Sequence, residues 1–87
     1  MRNLSFSPIA WEHYLSWQQQ DKKKVKRINE LLKDIQRGSV CDGVGKPEAL
    51  KYRKAFSRRI DQANRLVYNL EENGNILIIS CKGHYND

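Results

Sequence analysis

Cationic side chains are concentrated in one short stretch of the sequence, between Lys46 and Arg65. The stretch holds seven cations and two anions, an excess of five charges, whereas the formal charge of the whole 87-residue chain is +6. A polyanion is the natural partner of such a concentration, and nucleic acid is the commonest one. A solvated surface without any ligand explains the charge equally well. The cations are Lys46, Lys51, Arg53, Lys54, Arg58, Arg59 and Arg65, and the anions are Glu48 and Asp61.

Two of these arginines are predicted to lie on the open face of a β-sheet. Apolar residues alternate with others from position 65 to position 70, with Leu66, Tyr68 and Leu70 on one side. Arg65 therefore points away from the apolar face, and Arg59 joins it if the neighbouring strand pairs as expected. Two guanidiniums there would offer bidentate donors to a phosphate, although exposed arginines also occur without a ligand.

Helical patterns precede this stretch and follow a short opening strand at Leu4 and Phe6. Ser7 and Pro8 are typical of an N-cap and a first helical position, and the helix that they begin reaches about Gln19. Its core face is predicted to consist of Trp11, Tyr14 and Leu15.

A second helix is predicted between the N-cap Asp21 and Arg37, where Gly38 follows. Five cations crowd its first two turns, although they oppose the positive end of the helix dipole there. A docking surface for a polyanion explains this placement, and a solvated face is the alternative. The cations are Lys22, Lys23, Lys24, Lys26 and Arg27, and the predicted buried stripe is Val25, Ile28, Leu31, Leu32 and Ile35.

The second half of the chain has the period of β-strands after a glycine-rich loop over residues 39–47. Asn73 and Gly74 predict a hairpin between the strand over 65–70 and a run over 76–81. That run is apolar on both faces, which is typical of a central strand. We therefore predict one α+β domain over residues 1–87, in which a short N-terminal strand and a two-helix hairpin accompany a twisted antiparallel sheet, with the helices packed on one face.

Cysteine and histidine usage predicts neither a disulfide nor a metal site. Cys41 and Cys81 are expected to be free thiols in a reducing cytosol, the first in a loop and the second buried in a strand. Only His13, predicted on the surface of the first helix, and His84 could assist a metal ion, so no metal or other cofactor is expected. No apolar run approaches the roughly 20 residues that span a bilayer, and no secretion signal is visible. We expect a cytoplasmic protein without a membrane partner.

Several sequence blocks resemble the YoeB/Txe-type toxins of the RelE-like family. Two blocks lie in the predicted helices, Tyr14-x-x-Trp17-Gln18-x-x-Asp21-Lys22 and Lys26-Arg27-Ile28-Asn29-Glu30-Leu31. The resemblance covers almost the whole chain in the same order. The remaining blocks are Gly45-Lys46-Pro47-Glu48-Ala49-Leu50-Lys51, Ser57-Arg58-Arg59-Ile60, Asn64-Arg65-Leu66-Val67-Tyr68 and His84-Tyr85.

This resemblance implies a RelE-like microbial ribonuclease fold and a ribosome-dependent endoribonuclease that cuts messenger RNA in the ribosomal A site without a metal ion. It also implies that an antitoxin of the YefM/Axe type holds the enzyme inactive, whereas a homodimer of the free toxin stays open. The 2′-hydroxyl of RNA would be the nucleophile, so the enzyme needs a base, a cation for the phosphorane and an acid for the leaving oxygen.

The resemblance implies these roles for individual side chains. Glu48 matches the general base, Arg65 the phosphate-stabilising arginine and His84 the general acid, while Tyr85 matches a tyrosine that orients the substrate. The other cations expected to bind RNA are Lys46, Lys51, Arg58 and Arg59. The cations expected to contact the ribosome are Lys22, Lys23, Lys24, Lys26 and Arg27.

Each assignment has a structural alternative. Glu48 could pair with a neighbouring lysine, and Arg65 could bind a backbone carbonyl. His84 could be solvated, and Tyr85 could cover the sheet edge. Two other functions also stay open, a non-catalytic nucleic-acid-binding module and a gyrase inhibitor of the ParE type on the same fold.

Two departures from the family pattern affect the expected site. The segment between Lys51 and Ser57 is about two residues shorter than usual, which places Arg53 and Lys54 at the tip of the expected hairpin and makes Lys51 the least secure match. A loss of two residues preserves the alternation of faces. The chain also continues past the tyrosine with Asn86-Asp87, whose negative charge is expected to lower activity.

Overall fold

Two helices and five strands make up the regular structure of the computed structural model, which describes residues 1–51 and 54–83. Tyr52, Arg53 and the last four residues, which include the predicted site residues His84 and Tyr85, lie outside the described residues. In chain order the elements are β1 (Leu4–Phe6), α1 (Pro8–Gln20), α2 (Lys22–Arg37), β2 (Glu48–Ala49), β3 (Ala55–Arg59), β4 (Arg65–Leu70) and β5 (Ile76–Ser80).

The ends of both helices follow the predicted capping residues. The Ser7 side chain accepts a hydrogen bond from the Ala10 N–H, and Pro8 is the first helical residue. The Asp21 side chain likewise accepts from the Lys23 N–H at the start of α2. Gly38 ends α2 and donates its N–H to the Asp34 carbonyl. The predicted bounds of the two-helix hairpin are therefore confirmed to within one residue.

The five strands form one sheet in the order β1-β5-β4-β3-β2, and the sheet is mixed. The three pairings from β2 to β5 are antiparallel, but β1 pairs with β5 in parallel, with Leu4 opposite Ile76. The prediction of a purely antiparallel sheet was therefore wrong in this one pairing. Strands far apart in sequence, with the helical pair and three strands between them, can pair in parallel because the intervening chain returns to the same end of the sheet.

The hairpin that joins β4 to β5 turns over residues 71–75, where Gly74 has a φ of +86°. A positive φ favours glycine, as the Asn73-Gly74 pair predicted. β5 lies between β1 and β4, which confirms that the apolar run is an interior strand. β2 was not predicted, because two residues are too short to show a period.

The main core lies between α2 and one face of the sheet. Ile28, Leu31, Leu32 and Ile35 of α2 are buried, and Val25 is partly buried against them. Their partners from the sheet are Leu66, Tyr68, Ile76 and Ile78. The predicted stripe of α2 is confirmed.

The predicted core face of β4 needs two corrections. Leu70 is 36% exposed, because it is the last residue of β4 and adjoins the hairpin turn. Val67, predicted to lie on the open face, is fully buried. Ser57 pairs directly with Val67 and is buried as well. This face of the sheet is therefore less open than alternation alone suggests.

The predicted core stripe of α1 is wrong in most of its members. Trp11 is 50% exposed and Leu15 is 42% exposed, whereas Ala10 and Trp17 are buried. Ala10 and Trp17 are seven residues apart, so they lie on one helix face two turns apart. The Trp17 indole N–H donates to the Cys81 carbonyl at 2.8 Å, which satisfies its polar atom on burial.

The cysteines are free, as predicted, with Cys41 exposed in the loop and Cys81 buried directly after β5. Burial raises the pKa of the Cys81 thiol to about 12. His13 is half-buried and accepts a hydrogen bond from the Cys81 N–H, so the prediction of a plain surface residue was wrong.

Within the described residues, neither helix has the length and apolar character needed to cross a membrane.

Replacing Leu31 by alanine is expected to cost about 2–5 kcal/mol of the free energy of unfolding, because the side chain is fully buried beneath the sheet. Leu15→Ala removes the same group from the exposed face of α1 and should cost less than about 1 kcal/mol. Urea denaturation followed by circular dichroism measures both. Equal losses for the two variants would contradict the placement of the core.

Candidate active site

Glu48 of β2 and Arg65 of β4 lie on different strands and meet on the face of the sheet opposite α2. Glu48 pairs with Ser57 across β2 and β3, and Ser57 pairs with Val67 across β3 and β4. Arg65 lies two residues before Val67 and therefore points to the same face. The Arg65 Nη1 and Glu48 Oε2 atoms are 4.0 Å apart. The sheet register thus brings together a proton acceptor and a cation.

The two side chains differ in their exposure. The Glu48 side chain is 59% exposed, so a ligand can reach its carboxylate, whereas the Arg65 side chain is only 13% exposed. Arg65 Nη1 is buried and has no hydrogen-bond partner among the residues that the structure describes. A buried guanidinium nitrogen without a partner is costly, and an anion placed there would satisfy it.

Arg59 faces Arg65 directly across β3 and β4, which confirms the predicted shared face. Like charges directly opposite in a sheet destabilise it, and an anion between them removes this cost. The Arg59 carbonyl also accepts a hydrogen bond from Arg27 Nη2 at 3.2 Å, so α2 is tied to the end of β3. The pair is a suitable cradle for a phosphate.

Arg58 was expected to bind RNA, and the structure contradicts this. It is fully buried and lies on the core face of β3, opposite Leu66. Its guanidinium forms an ion pair with Asp34 of α2 and bonds the Tyr68 hydroxyl at 2.9 Å. The charge of Arg58 favoured a position on the surface. The alternation of side chains along β3, however, places Arg58 on the same face as the apolar residues. Arg58 is a structural residue.

The loop before β2 delivers Glu48 to the sheet. Lys46 is exposed and has a φ of +50°, the left-handed conformation that non-glycine residues rarely adopt. Pro47 follows it and restricts the backbone directly before Glu48. Lys51 is exposed and lies two residues past the end of β2. Lys46 and Lys51 thus flank the carboxylate along the chain.

Gly83 is the last described residue before His84, and it is held beside Arg65. The Arg65 N–H donates to the Gly83 carbonyl at 3.0 Å. The Gly83 N–H donates to Asn64 Oδ1 at 2.8 Å. Lys82 Nζ is held by Ser16 of α1 at 3.0 Å, so the chain that leads to His84 is fixed on two sides.

Asp61 and Asn64 were not singled out from the sequence as site residues, although both belong to the turn that fixes Gly83. Asp61 accepts from the Asn64 side chain and from the backbone N–H groups of Ala63 and Asn64. Aspartate is common in such turns, because its carboxylate accepts hydrogen bonds from backbone N–H groups that follow closely in the chain. Burial raises the pKa of the Asp61 carboxyl, but hydrogen bonds from Lys24, Asn64 and the backbone outweigh it and lower the pKa to about 2.

The cations at the start of α2 do not form one uniform surface. Lys22, Lys23 and Lys26 are exposed. Lys24, by contrast, lies 2.8 Å from the Asp61 carboxylate, and Arg27 bonds the end of β3. In the described part of the chain no group of three or more histidine, cysteine, aspartate or glutamate side chains is arranged to hold a metal ion.

A two-helix hairpin packed on a mixed five-stranded sheet is the fold of the RelE-like bacterial toxins, to which the structural neighbours of this chain belong. The chain belongs to the family of YoeB-like toxins of bacterial type II toxin–antitoxin systems, because the family profile matches residues 6–85.

Individual relatives agree with this assignment over most of their length. The chain is 48% identical to the toxin YoeB of Synechocystis over 84 residues, which are 94% of this chain and 95% of the relative. It is 45% identical to the toxin YoeB of Escherichia coli K12, covering 94% of this chain and 98% of that one. A YoeB dimer from Staphylococcus aureus superimposes with a TM-score of 0.88 at 51% identity, covering 97% and 98% of the two chains. A YoeB–YefM complex from the same organism gives 0.86 at 50% identity, covering 98% and 99%.

Asp61→Asn is expected to destabilise the protein at pH 7, by an amount that shrinks as the pH falls from about 4 to about 2. The folded pKa of about 2 lies below the ordinary value of 3.8, so the ionised carboxyl stabilises the fold above that ordinary value. This stabilisation is lost as the wild-type carboxyl becomes protonated. Urea denaturation at pH 7, 4 and 3 measures the difference between the two proteins.

Glu71→Gln in the exposed hairpin turn is the matched control and should change stability little at any of these pH values. A difference between wild type and Asp61→Asn that stays the same at pH 7, 4 and 3 would contradict the role of the charge.

Proposed function

We propose that this toxin is a metal-independent endoribonuclease that cleaves messenger RNA in the ribosomal A site. The observation that carries the proposal is the buried Arg65 Nη1 atom, which has no hydrogen-bond partner in the described residues and lies 4.0 Å from an accessible carboxylate. A scissile phosphate placed at this atom would supply the missing acceptor. The ribose of the same nucleotide would then lie within reach of Glu48.

The proposed reaction is an attack by the RNA 2′-hydroxyl on the adjacent phosphorus. Glu48 accepts the proton of the 2′-hydroxyl as the new oxygen–phosphorus bond forms. Arg65 stabilises the additional negative charge of the pentacoordinate phosphorane, and Arg59 supports it. The bond to the 5′-oxygen then breaks, and His84 donates a proton to that oxygen. The products are a 2′,3′-cyclic phosphate and a 5′-hydroxyl end.

The position of Gly83 supports the role proposed for the C-terminal residues. The Gly83 carbonyl accepts a hydrogen bond from the Arg65 N–H, and His84 is the next residue in the sequence. A histidine side chain beside a polyanion can carry a proton and donate it to a leaving oxygen. Tyr85 is proposed to orient the substrate.

Dependence on the ribosome and control by an antitoxin are the remaining parts of the proposal. The exposed cations at the start of α2 are proposed to contact ribosomal RNA, with Lys22, Lys23 and Lys26 more available than Lys24 and Arg27. An antitoxin of the YefM type is proposed because the similar staphylococcal toxin was solved in a YoeB–YefM complex. The solved staphylococcal YoeB dimer likewise supports a homodimer of the free toxin.

Arg65→Ala is expected to lower the single-turnover rate of messenger cleavage on programmed ribosomes by about 10²–10³-fold, because the phosphorane loses its buried cation. Glu48→Gln and His84→Gln should each lower the rate by about 10²–10⁴-fold, since each removes a proton-transfer group. Lys33→Gln on the exposed side of α2 is the matched loss of charge and should retain the wild-type rate.

The same cleavage assay also tests the nucleophile and the independence from metal ions. A 2′-deoxy sugar at the cleaved position removes the nucleophile and should abolish cleavage. A chelator selective for transition metals, added at constant magnesium so that the ribosome stays assembled, should leave cleavage unchanged. Binding of RNA without cleavage by the wild type would reject the nuclease and favour a non-catalytic binding module. Cleavage of the 2′-deoxy substrate would reject the chemistry.

A further inference from the structure

The loop over residues 39–47 lacks regular secondary structure, yet it is closely attached to the buried Arg58 side chain. Arg58 Nη2 donates to the carbonyls of Ser39 at 2.8 Å and Asp42 at 2.9 Å. Arg58 Nη1 donates to the Val44 carbonyl at 3.1 Å. A buried guanidinium in a fixed geometry thus replaces the hydrogen bonds that a helix or strand would give this loop.

Residues from two other elements complete the network around Arg58. The Tyr68 hydroxyl accepts from Arg58 Nε at 2.9 Å and donates to the Val40 carbonyl at 2.6 Å. The Asp34 carboxylate neutralises Arg58 and also accepts from the Val44 N–H at 3.1 Å. The hydrogen bond from Arg58 and then that from Val44 hold the pKa of the Asp34 carboxyl below its usual range.

The loop fits this network without spare room. A Cβ atom at Gly43 would lie 2.1 Å from Asp34 Oδ2, and one at Gly45 would lie 2.8 Å from Leu31 Cδ2. Both glycines have a positive φ, of 120° and 86°. The contacts of the loop therefore determine its path.

The same loop ends at Glu48. Its Gly45 carbonyl accepts the Arg59 N–H at 2.7 Å, and only Lys46 and Pro47 then separate Gly45 from Glu48. We propose that Arg58, with Asp34 and Tyr68, acts as a positioning residue that sets the distance between the Glu48 carboxylate and Arg65. This role rests on the proposed function of Glu48 as the base. Misplacement of a reacting group by about 1 Å can cost about a hundredfold in rate, so the network influences chemistry without touching substrate.

Asp34→Asn and Tyr68→Phe test the proposal, because each weakens the network while Arg58 itself stays in place. Each should lower the single-turnover rate per folded molecule by about ten- to a hundredfold, with the concentration of ribosomal substrate at half-maximal rate changed less than about twofold. Urea denaturation gives the folded fraction, so two independent variants protect the test against failure of one to fold. Ile35→Val is the matched control, since it weakens the buried face of α2 near Asp34 but breaks no polar contact.

A double-mutant cycle separates positioning from general destabilisation. If the network acts through Glu48, Asp34→Asn combined with Glu48→Gln should be no slower than Glu48→Gln alone. Ile35→Val should leave the rate per folded molecule unchanged. Amide exchange should show faster exchange of the Arg59 N–H in Asp34→Asn, because the Gly45 carbonyl that it bonds is less firmly held.

The outcomes distinguish this inference from the proposed function. Wild-type rates per folded molecule in Asp34→Asn and Tyr68→Phe, or rate losses that multiply with that of Glu48→Gln, overturn the positioning role and leave the nuclease intact. An inactive wild type, or a Glu48→Gln variant as active as wild type, rejects the function and this role with it. In that case faster Arg59 amide exchange would show that the network anchors the loop without serving catalysis.

Discussion

The buried Arg58 guanidinium is the interaction on which the arrangement of this small protein depends. A charge of this kind cannot leave water unless a counter-charge and several acceptors surround it. Asp34 supplies the counter-charge from α2, Tyr68 supplies a hydroxyl from β4, and the loop over residues 39–47 supplies carbonyls. The requirement to satisfy one side chain therefore joins α2, the sheet and the loop in a fixed geometry. In a domain of 87 residues with a modest core, such a link replaces packing that the chain is too short to provide.

Strand pairing in the sheet then places the end of this loop beside the other residues of the candidate site. Pairing of Glu48 with Ser57 determines which face of the sheet the carboxylate occupies, and pairing of Arg59 with Arg65 places two cations on that same face. A slip of one residue in either pairing would reverse the faces. The turn that contains Asp61 and Asn64 holds Gly83 beside Arg65. Scattered sequence blocks thus meet because hydrogen bonds between strands, and not local sequence, determine their distances.

Much of the fold could be predicted from periodicity, caps and turn residues. Helix bounds were marked by Ser7, Asp21 and Gly38, and the β4–β5 hairpin by Asn73 and Gly74. The parallel pairing of β1 left no local signal, because a three-residue strand shows its partner only in three dimensions. In α1 the exposed and buried faces both carry aromatic residues, so spacing could not tell Trp11 from Trp17.

The site was predictable to a different degree. The family resemblance singled out Glu48 and Arg65, and alternation placed Arg59 on the same face as Arg65. The neighbouring Arg58 was expected to bind RNA because of its charge, although its alternation with Phe56 and Ile60 indicated the core. The acceptors that allow burial of Arg58 are the Asp34 carboxylate and loop carbonyls, all distant from Arg58 in sequence. No local sequence pattern indicates them. The role of Asn64 was not predicted either, because the Gly83 N–H that it accepts is also distant in sequence.

The most direct test of the central claim is a structure of the toxin on a ribosome with messenger RNA carrying a 2′-O-methyl group at the cleaved position. The measured distances are those from Arg65 Nη1 to the phosphate oxygens and from the Glu48 carboxylate to the 2′-oxygen. We predict hydrogen-bond distance for the first, about 2.7–3.1 Å, and about 3–3.5 Å for the second. A phosphate bound only by exposed lysines, with Arg65 Nη1 still lacking an acceptor and Glu48 turned away from the ribose, would contradict the account.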